Sequence, residues 1–358
     1  MSRRVFMKGN EAAAEGAICG GCRFFFGYPI TPQNEIPEYM AKHMPEVGGT
    51  YVQAESELAA ISMVFGAAAA GARAMTSSSS PGISLMQEGL SYLSGAEIPC
   101  VVINMVRGGP GLGNIATAQC DYFLATRGSG HGDSRSLVYA PSTVQELHDL
   151  TAEAFPIAEK YRTPVMILGE AILGQMMEAV DLRERRDPPE PTSFPWAIGG
   201  VRRERPPRII TSLYTRHEDL EAKNREMEAR YDQARREEVR WDESGADDPQ
   251  IAVVAYGVVA RVCRTAIERA AARGVRARLF RPISLFPFPE APLAALAERV
   301  EQVLVVEASL GQLVEDVRLS VEGRAPVSLL TRVGGVMITP EEVQDRLEAM
   351  SRGSVGGV

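Results

Sequence analysis

From Gly9 to Met176 the sequence alternates between helix-like and strand-like segments, and this alternation restricts the fold more than any other feature. "EAAAEGAICGG" reads as a helix closed by glycine, and "RFFFGYP" as a short buried strand. "ESELAAISMVFGAAAAGA" is a long alanine-rich helix, "RAMTSSSS" a strand running into a polar loop, "ISLMQEGLSYLSGA" a helix and "PCVVINMV" a strand. A glycine-rich loop follows, then "PSTVQELHDLTAEAFPIAEKY", a helix with a capping-box-like start, and the strand "PVMILG". Such a pattern predicts a parallel sheet covered by helices on both faces.

The pattern breaks at residues 181–250. "RERRDPPEPTSFP" is proline-rich and charged and reads as a linker. Beyond it Leu220, Met227, Tyr231, Ala234 and Trp241 form one narrow apolar stripe, which predicts a charged helix packed across a surface. Alternation resumes at "IAVVAYG" and runs through "VEQVLVVEAS" and "PVSLLTRVGG". The expected organisation is therefore an α/β domain over 1–180, a linker with its charged helix over 181–250 and a smaller α/β domain over 251–350.

A net charge of −8 in 358 residues leaves no basic surplus for nucleic acid. No apolar run has the length of a bilayer span, and "MSRRVFMKGNEAAAEG" lacks the apolar stretch of a signal peptide, so a cytoplasmic chain without membrane contact is expected. Cys19 and Cys22 form a C-x-x-C, but no second pair lies at metal-ligand spacing. They read as small residues at a helix-to-strand junction, with no metal site on this chain.

Ligands of open α/β sheets gather at the carboxyl ends of the strands, and the three most unusual stretches fall there. In Tyr28 to Pro32, "YPITP", two prolines stiffen the backbone around Thr31. "TSSSSPG", Thr76 to Gly82, places hydroxyls ahead of a helix, and "RGGPGLGN", Arg107 to Asn114, follows a cation with glycines that admit a ligand close to the backbone. Each also has a plain reading: a stiff turn, an N-cap with surplus serines, a loop. The glycines do not match the dinucleotide fingerprint, being spaced G-x-G-x-G. Glu57, in "QAESELAAISMVFG", sits in the first turn of an apolar helix. It is either a partner for the helix dipole or, if buried, a carboxyl in its neutral, proton-donating form.

Taken together, "KGNEAAAEGAICGGCRFFFGYPITPQNEIPEYM", "QAESELAAISMVFGAAAAGARAMTSSSSPGISLMQEGLSYL", "VVINMVRGGPGLGN" and "HGD" resemble the alpha chain of the 2-oxoacid:ferredoxin oxidoreductases, in particular the 2-oxoisovalerate (3-methyl-2-oxobutanoate) type. The similarity continues through "RPISLFPFP" and "VVEASLGQLVEDVRLSVEG". It implies a pyrimidine-binding domain of the thiamine diphosphate fold followed by a transketolase C-terminal-like domain. It also implies a cofactor shared with a beta chain that supplies the diphosphate and Mg2+ site. A gamma chain and an iron–sulfur chain carrying [4Fe-4S] clusters would complete the complex and pass electrons to ferredoxin, with a 2-oxoacid and coenzyme A as substrates. By position in the matching motifs, Glu57 corresponds to the glutamate that hydrogen-bonds the pyrimidine ring, with Tyr28 and Pro29 beside the cofactor, and Thr31 and Arg107 correspond to substrate contacts.

Glu55 lies two residues from Glu57 and competes for its role, and His131 is either a site residue or a loop histidine. The stretch "GPGLGNI" brings Leu112 and Ile115 but no added cation, which predicts an apolar pocket for a branched side chain. The same chemistry on 2-oxoglutarate or pyruvate is the nearest alternative. A non-catalytic assembly or regulatory chain is the alternative of another class.

Overall fold

The computed structural model describes residues 3–128, 130–198 and 207–353. In chain order, β1 (Arg3–Lys8), α1 (Gly9–Cys19), β2 (Phe24–Gly27), α2 (Glu35–His43), β3 (Thr50–Gln53), α3 (Glu57–Ala69), β4 (Ala74–Ser78), α4 (Pro81–Gly95) and β5 (Val101–Val106) come first. Then follow α5 (Tyr122–Thr126), β6 (Leu137–Tyr139), α6 (Val144–Tyr161), β7 (Val165–Glu170), α7 (Ala171–Gln175), β8 (Met177–Leu182) and the long α8 (His217–Glu237). The last third comprises β9 (Trp241–Gly245), β10 (Ile251–Val254), α9 (Gly257–Ala271), β11 (Ala277–Pro282), β12 (Ser284–Phe286), α10 (Glu290–Ala297), β13 (Gln302–Glu307), α11 (Leu313–Val321), β14 (Val327–Thr331) and α12 (Pro340–Ser351).

The first sheet runs β12-β6-β7-β5-β4-β2-β3 and is parallel except for the edge strand β12. Strands β4, β5 and β7 are buried along their whole length, as the continuous apolar runs of a two-sided sheet require. Right-handed crossovers that run toward opposite edges place their helices on opposite faces. Accordingly α3 packs against α4, and α6 packs against α1. The second sheet, β14-β13-β10-β11-β9, is parallel apart from its edge strand β9, and its α9 packs against α12.

Three pairings join segments distant in the chain. β1 pairs antiparallel with β8, which closes a ribbon from Arg3↔Leu182 to Lys8↔Met177. β9, in the stretch read as a linker, is an edge strand of the second sheet, while β12, from the second half, is an edge strand of the first. The stripe on α8 buries Met227, Tyr231 and Ala234 but leaves Leu220 exposed, and Trp241 lies in β9 rather than on the helix. Among the described residues no helix is long and apolar enough to cross a membrane.

Candidate functional site

Strand order determines where a ligand reaches the first sheet. β3 flanks β2 on one side and β4 on the other, so the connections leave the carboxyl ends of β2 and β4 in opposite directions and open a crevice between them. The loop Tyr28–Pro32 follows β2, Ser79 and Ser80 follow β4, the loop from Arg107 follows the neighbouring β5, and α3 begins beside β3.

Two of the expected residues meet directly. Arg107 Nη1 donates to the Thr31 carbonyl at 2.9 Å. Arg107 is only 8% exposed, and its Nε is buried with no hydrogen-bond partner. A buried guanidinium with a spare donor is suited to an incoming carboxylate. Thr31 itself is exposed, as are Tyr28 and Pro29. The next carbonyl, of Pro32, accepts from Asn10 Nδ2 at 2.8 Å and Gln175 Nε2 at 3.0 Å. Gln33, wholly buried, accepts from Ser77 Oγ at 2.5 Å and ties this loop to the hydroxyl-rich strand.

The start of α3 decides between the two glutamates. Ser56 is the N-cap, its Oγ accepting from Ala59 N at 3.2 Å, so Glu57 takes the first helical position and Glu55 lies outside. Glu57 is 5% exposed, whereas Glu55 is exposed to solvent. The carboxyl lies against the first turn of α4, where a Cβ on Gly82 would fall 2.5 Å from Glu57 Oε1 and 2.0 Å from Ser78 Oγ. Only glycine fits there. The hydroxyls of Thr76 and Ser78 are buried and unpartnered. A buried carboxyl set against Ser78 and Gly82, with the Thr76 hydroxyl on the same strand, forms a polar cradle whose donors and acceptors are of the kind an aminopyrimidine ring bonds.

Other expected residues lie elsewhere. His131 is exposed, its carbonyl accepting from Ser91 Oγ at 2.8 Å and its ring edge-on to Tyr92. Ser91 is ten residues beyond Pro81, or roughly 15 Å along α4 from the crevice. Leu112 is 86% exposed, whereas Ile115 joins Thr31, Ile172 and Met337 in lining a cavity of about 540 Å³. A second cavity of about 640 Å³ lies between Ser80, the loop Gly108–Gly111 and Ala308 to Gln312 of the second domain. Cys19 and Cys22 are free thiols, and burial pushes both up to about 12, which keeps them protonated and inert.

Polar residues inside apolar segments, which the sequence reading passed over, hold this edge to the second domain. Gln119 is fully buried and exchanges hydrogen bonds of 2.9 Å with Ala308, N to O in one direction and Oε1 from N in the other. Its Nε2 donates to Glu170 Oε1 at 2.8 Å and to the Tyr256 carbonyl at 3.1 Å. Burial raises the Glu170 carboxyl to about 7. A lone polar residue in a stretch as apolar as "PVMILGEAIL" was the signal available for it.

Residues 15–240 match the family described as pyruvate flavodoxin/ferredoxin oxidoreductase, thiamine diphosphate-binding, and residues 249–343 match pyruvate:ferredoxin oxidoreductase core domain II. The ketoisovalerate oxidoreductase subunit VorB of Methanothermobacter thermautotrophicus is 46% identical over 96% of this chain and 97% of its own. The 2-oxoglutarate synthase subunit KorA of the same organism is 39% identical over 98% of this chain and all of its own. Among solved structures, the 2-oxoglutarate:ferredoxin oxidoreductase of Magnetococcus marinus superposes with a TM-score of 0.84 at 29% identity, over 97% of this chain and 65% of that one. A split-gene transketolase, at 15% identity and a TM-score of 0.60, shares the fold. The chain belongs to the pyruvate flavodoxin/ferredoxin oxidoreductase family, as an oxidoreductase subunit that joins its thiamine diphosphate-binding domain to its core domain II.

Proposed function

We propose that the chain is the alpha subunit of a multi-subunit 2-oxoacid:ferredoxin oxidoreductase that acts on a branched-chain 2-oxoacid, 3-methyl-2-oxobutanoate, with coenzyme A as acyl acceptor and ferredoxin as electron acceptor. The observation that carries this reading is the buried Arg107, with its free Nε, bonded to the Thr31 carbonyl at the sheet edge where the buried Glu57 packs against the first turn of α4. Thiamine diphosphate supplies, when bound, the nucleophilic carbon and the electron sink that 2-oxoacid decarboxylation needs.

The chain's own residues bind, orient and exchange protons. Glu57, buried and set at the start of its helix by the Ser56 cap, would hold or accept a proton at a ring nitrogen of the bound cofactor. Arg107 pairs with the substrate carboxylate, and the Thr31 hydroxyl is held beside the carbonyl by the loop that Asn10, Gln33 and Gln175 fasten. Tyr28 and Pro29, exposed on the same loop, would lie beside the cofactor when it is bound. In this reading the Mg2+ and diphosphate ligands come from a beta chain and the iron–sulfur clusters from partner chains.

Substrate class is supported by the cavity that Thr31 lines, where Ile115, Ile172 and Met337 stand with the Glu35 carboxylate and, among the described residues, no Lys or Arg lines the wall. A 2-oxoglutarate pocket would have to pair a second carboxylate, at a cost of several kcal/mol if it were left bare. The higher identity to the VorB relative points the same way, and the KorA relative favours 2-oxoglutarate as the second reading. The test is to assemble the chain with its partner chains and compare kcat/KM for 3-methyl-2-oxobutanoate, pyruvate and 2-oxoglutarate by ferredoxin reduction. A preference of about tenfold for 2-oxoglutarate, or some 1.4 kcal/mol, would overturn the assignment. Turnover by the lone chain would overturn the shared site.

A further inference from the structure

Arg107 does not stand on its own strand alone. Its N–H donates to Ser80 Oγ at 3.1 Å, and its carbonyl accepts from the same hydroxyl at 3.3 Å, so Ser80 fixes the backbone from which the guanidinium extends. Ser80 is held in turn. Its φ of +23° is a conformation that a residue with a side chain adopts only under constraint, and its N–H donates to Asn104 Oδ1 at 3.1 Å. Asn104 is wholly buried in β5, three residues before Arg107, and its Nδ2 donates to Asp121 Oδ2 at 2.9 Å. Both ends of the amide are thereby engaged: the carboxylate of Asp121 can only accept, so it turns Nδ2 toward itself and Oδ1 toward Ser80.

Asp121 is gripped by the second domain on either side. Gln312 Nε2 donates to the Cys120 carbonyl at 2.8 Å, and Gln312 Oε1 accepts from Phe123 N at 2.8 Å. Tyr122 Oη donates to Asp316 at 2.5 Å, and Gln119 is paired with Ala308. α11 and its preceding loop thus hold Cys120, Tyr122 and Phe123, the backbone neighbours of Asp121, and from the Asp121 side chain hydrogen bonds run through Asn104 and Ser80 to Arg107 and on to Thr31.

We propose that Asn104 and Asp121 form a positioning pair through which the second domain sets the Arg107 guanidinium for the substrate carboxylate. The inference rests on the reading of Arg107 given under Proposed function. Neither residue touches the reacting atoms. They act through the backbone of Ser80 and Arg107, so their loss displaces a binding group and leaves the proton chemistry at Glu57 alone.

The pair permits an exchange test. Asn104→Asp sets two carboxylates against each other, and Asp121→Asn frees the amide of Asn104 to turn. In Asn104→Asp/Asp121→Asn the new asparagine donates to the new aspartate, whose second oxygen still accepts from Ser80. In the assembled complex each single variant is expected to raise KM for the 2-oxoacid about tenfold with kcat changed less than about twofold, the pattern of lost binding common to ground and transition state. The double variant is expected to recover KM to within about threefold, together with the melting temperature of the isolated chain. In an Arg107→Ala background Asn104→Asp is expected to add nothing to KM. Failure of the exchange to restore KM, a fall in kcat at constant KM, or an undiminished effect in the Arg107→Ala background would each overturn the positioning role. An Arg107→Ala enzyme with unchanged KM would instead remove the underlying reading of Arg107, and the two failures are told apart by that single variant.

Discussion

Replacing Glu170 with glutamine should make this protein more stable at neutral pH. Glu170 ends β7 and is 1% exposed at the junction of the two domains. Its Oε1 accepts from Gln119 Nε2 at 2.8 Å and from Val258 N at 3.1 Å, while Oε2 is buried without a partner. Gly257 lies so close that a Cβ there would fall 1.9 Å from Oε1, so no water can be admitted on that side. Two hydrogen bonds do not offset the loss of hydration, and burial raises the carboxyl from 4.5 to about 7.

A folded-state pKa above the unfolded one means that the native protein holds the proton more tightly. The stability this provides is present in full below about 4.5 and is lost as pH rises through about 7. The rise corresponds to about 3 kcal/mol, a figure that needs no discount for solvent because the group is fully enclosed. Glutamine reproduces the neutral acid, with an N–H in place of the O–H at the unpartnered position, and it carries no charge at any pH. At about 2.1 cal/mol/K per residue, 3 kcal/mol in a chain of this length is a shift of about 4 °C. Calorimetry of the purified chain from pH 4 to pH 8 at constant ionic strength should show the two proteins melting together at the acid end. At pH 8 the Glu170→Gln variant should melt about 4 °C higher. Profiles that stay parallel, or a variant that melts lower at pH 8, would refute the burial argument.

Two further substitutions address the crevice directly. Glu57→Gln should lower kcat of the assembled enzyme by about 10²-fold or more while leaving the melting temperature of the chain unchanged, and Glu55→Gln should do neither; the reverse ranking in a steady-state assay would mean that the wrong carboxyl was assigned. Gly82→Ala places a methyl group 2.5 Å from Glu57 Oε1, so titration of the assembled complex with thiamine diphosphate should show affinity weakened by about tenfold or more, and unaltered affinity would show that the cradle is not where the ring binds.

The parts of this site that were legible in the sequence are those carried by local chemistry. Glu57 was marked by its place in the first turn of an apolar helix, a property of neighbouring residues, and the Ser56 cap is what leaves Glu57 buried and Glu55 exposed. Thr31 and Arg107 were marked by lying where strands end. What could not be read was long-range pairing. The ribbon of β1 with β8 joins residues at opposite ends of the first domain, and nothing in "RRVFMK" names its partner. Trp241 fits a helical stripe by spacing, yet the helix stops at Glu237 because the following segment pairs with β11 instead. Likewise Ser284–Phe286 leaves the second half of the chain to pair with β6. That one crossing strand ties the second half of the chain into the first sheet. Asn104 and Gln119 belong to the same class. Each is an amide in a buried setting and so needed partners, but those partners come from Asp121 and from Ala308, Glu170 and Tyr256, residues that only the folded chain brings within reach. A buried amide with all its hydrogen-bonding atoms engaged holds two elements in one relative position. Because the elements held here carry Arg107 on one side and α11 on the other, displacement of the second domain should be transmitted to the Arg107 guanidinium before it disturbs Glu57, whose cap and cradle lie wholly within the first domain.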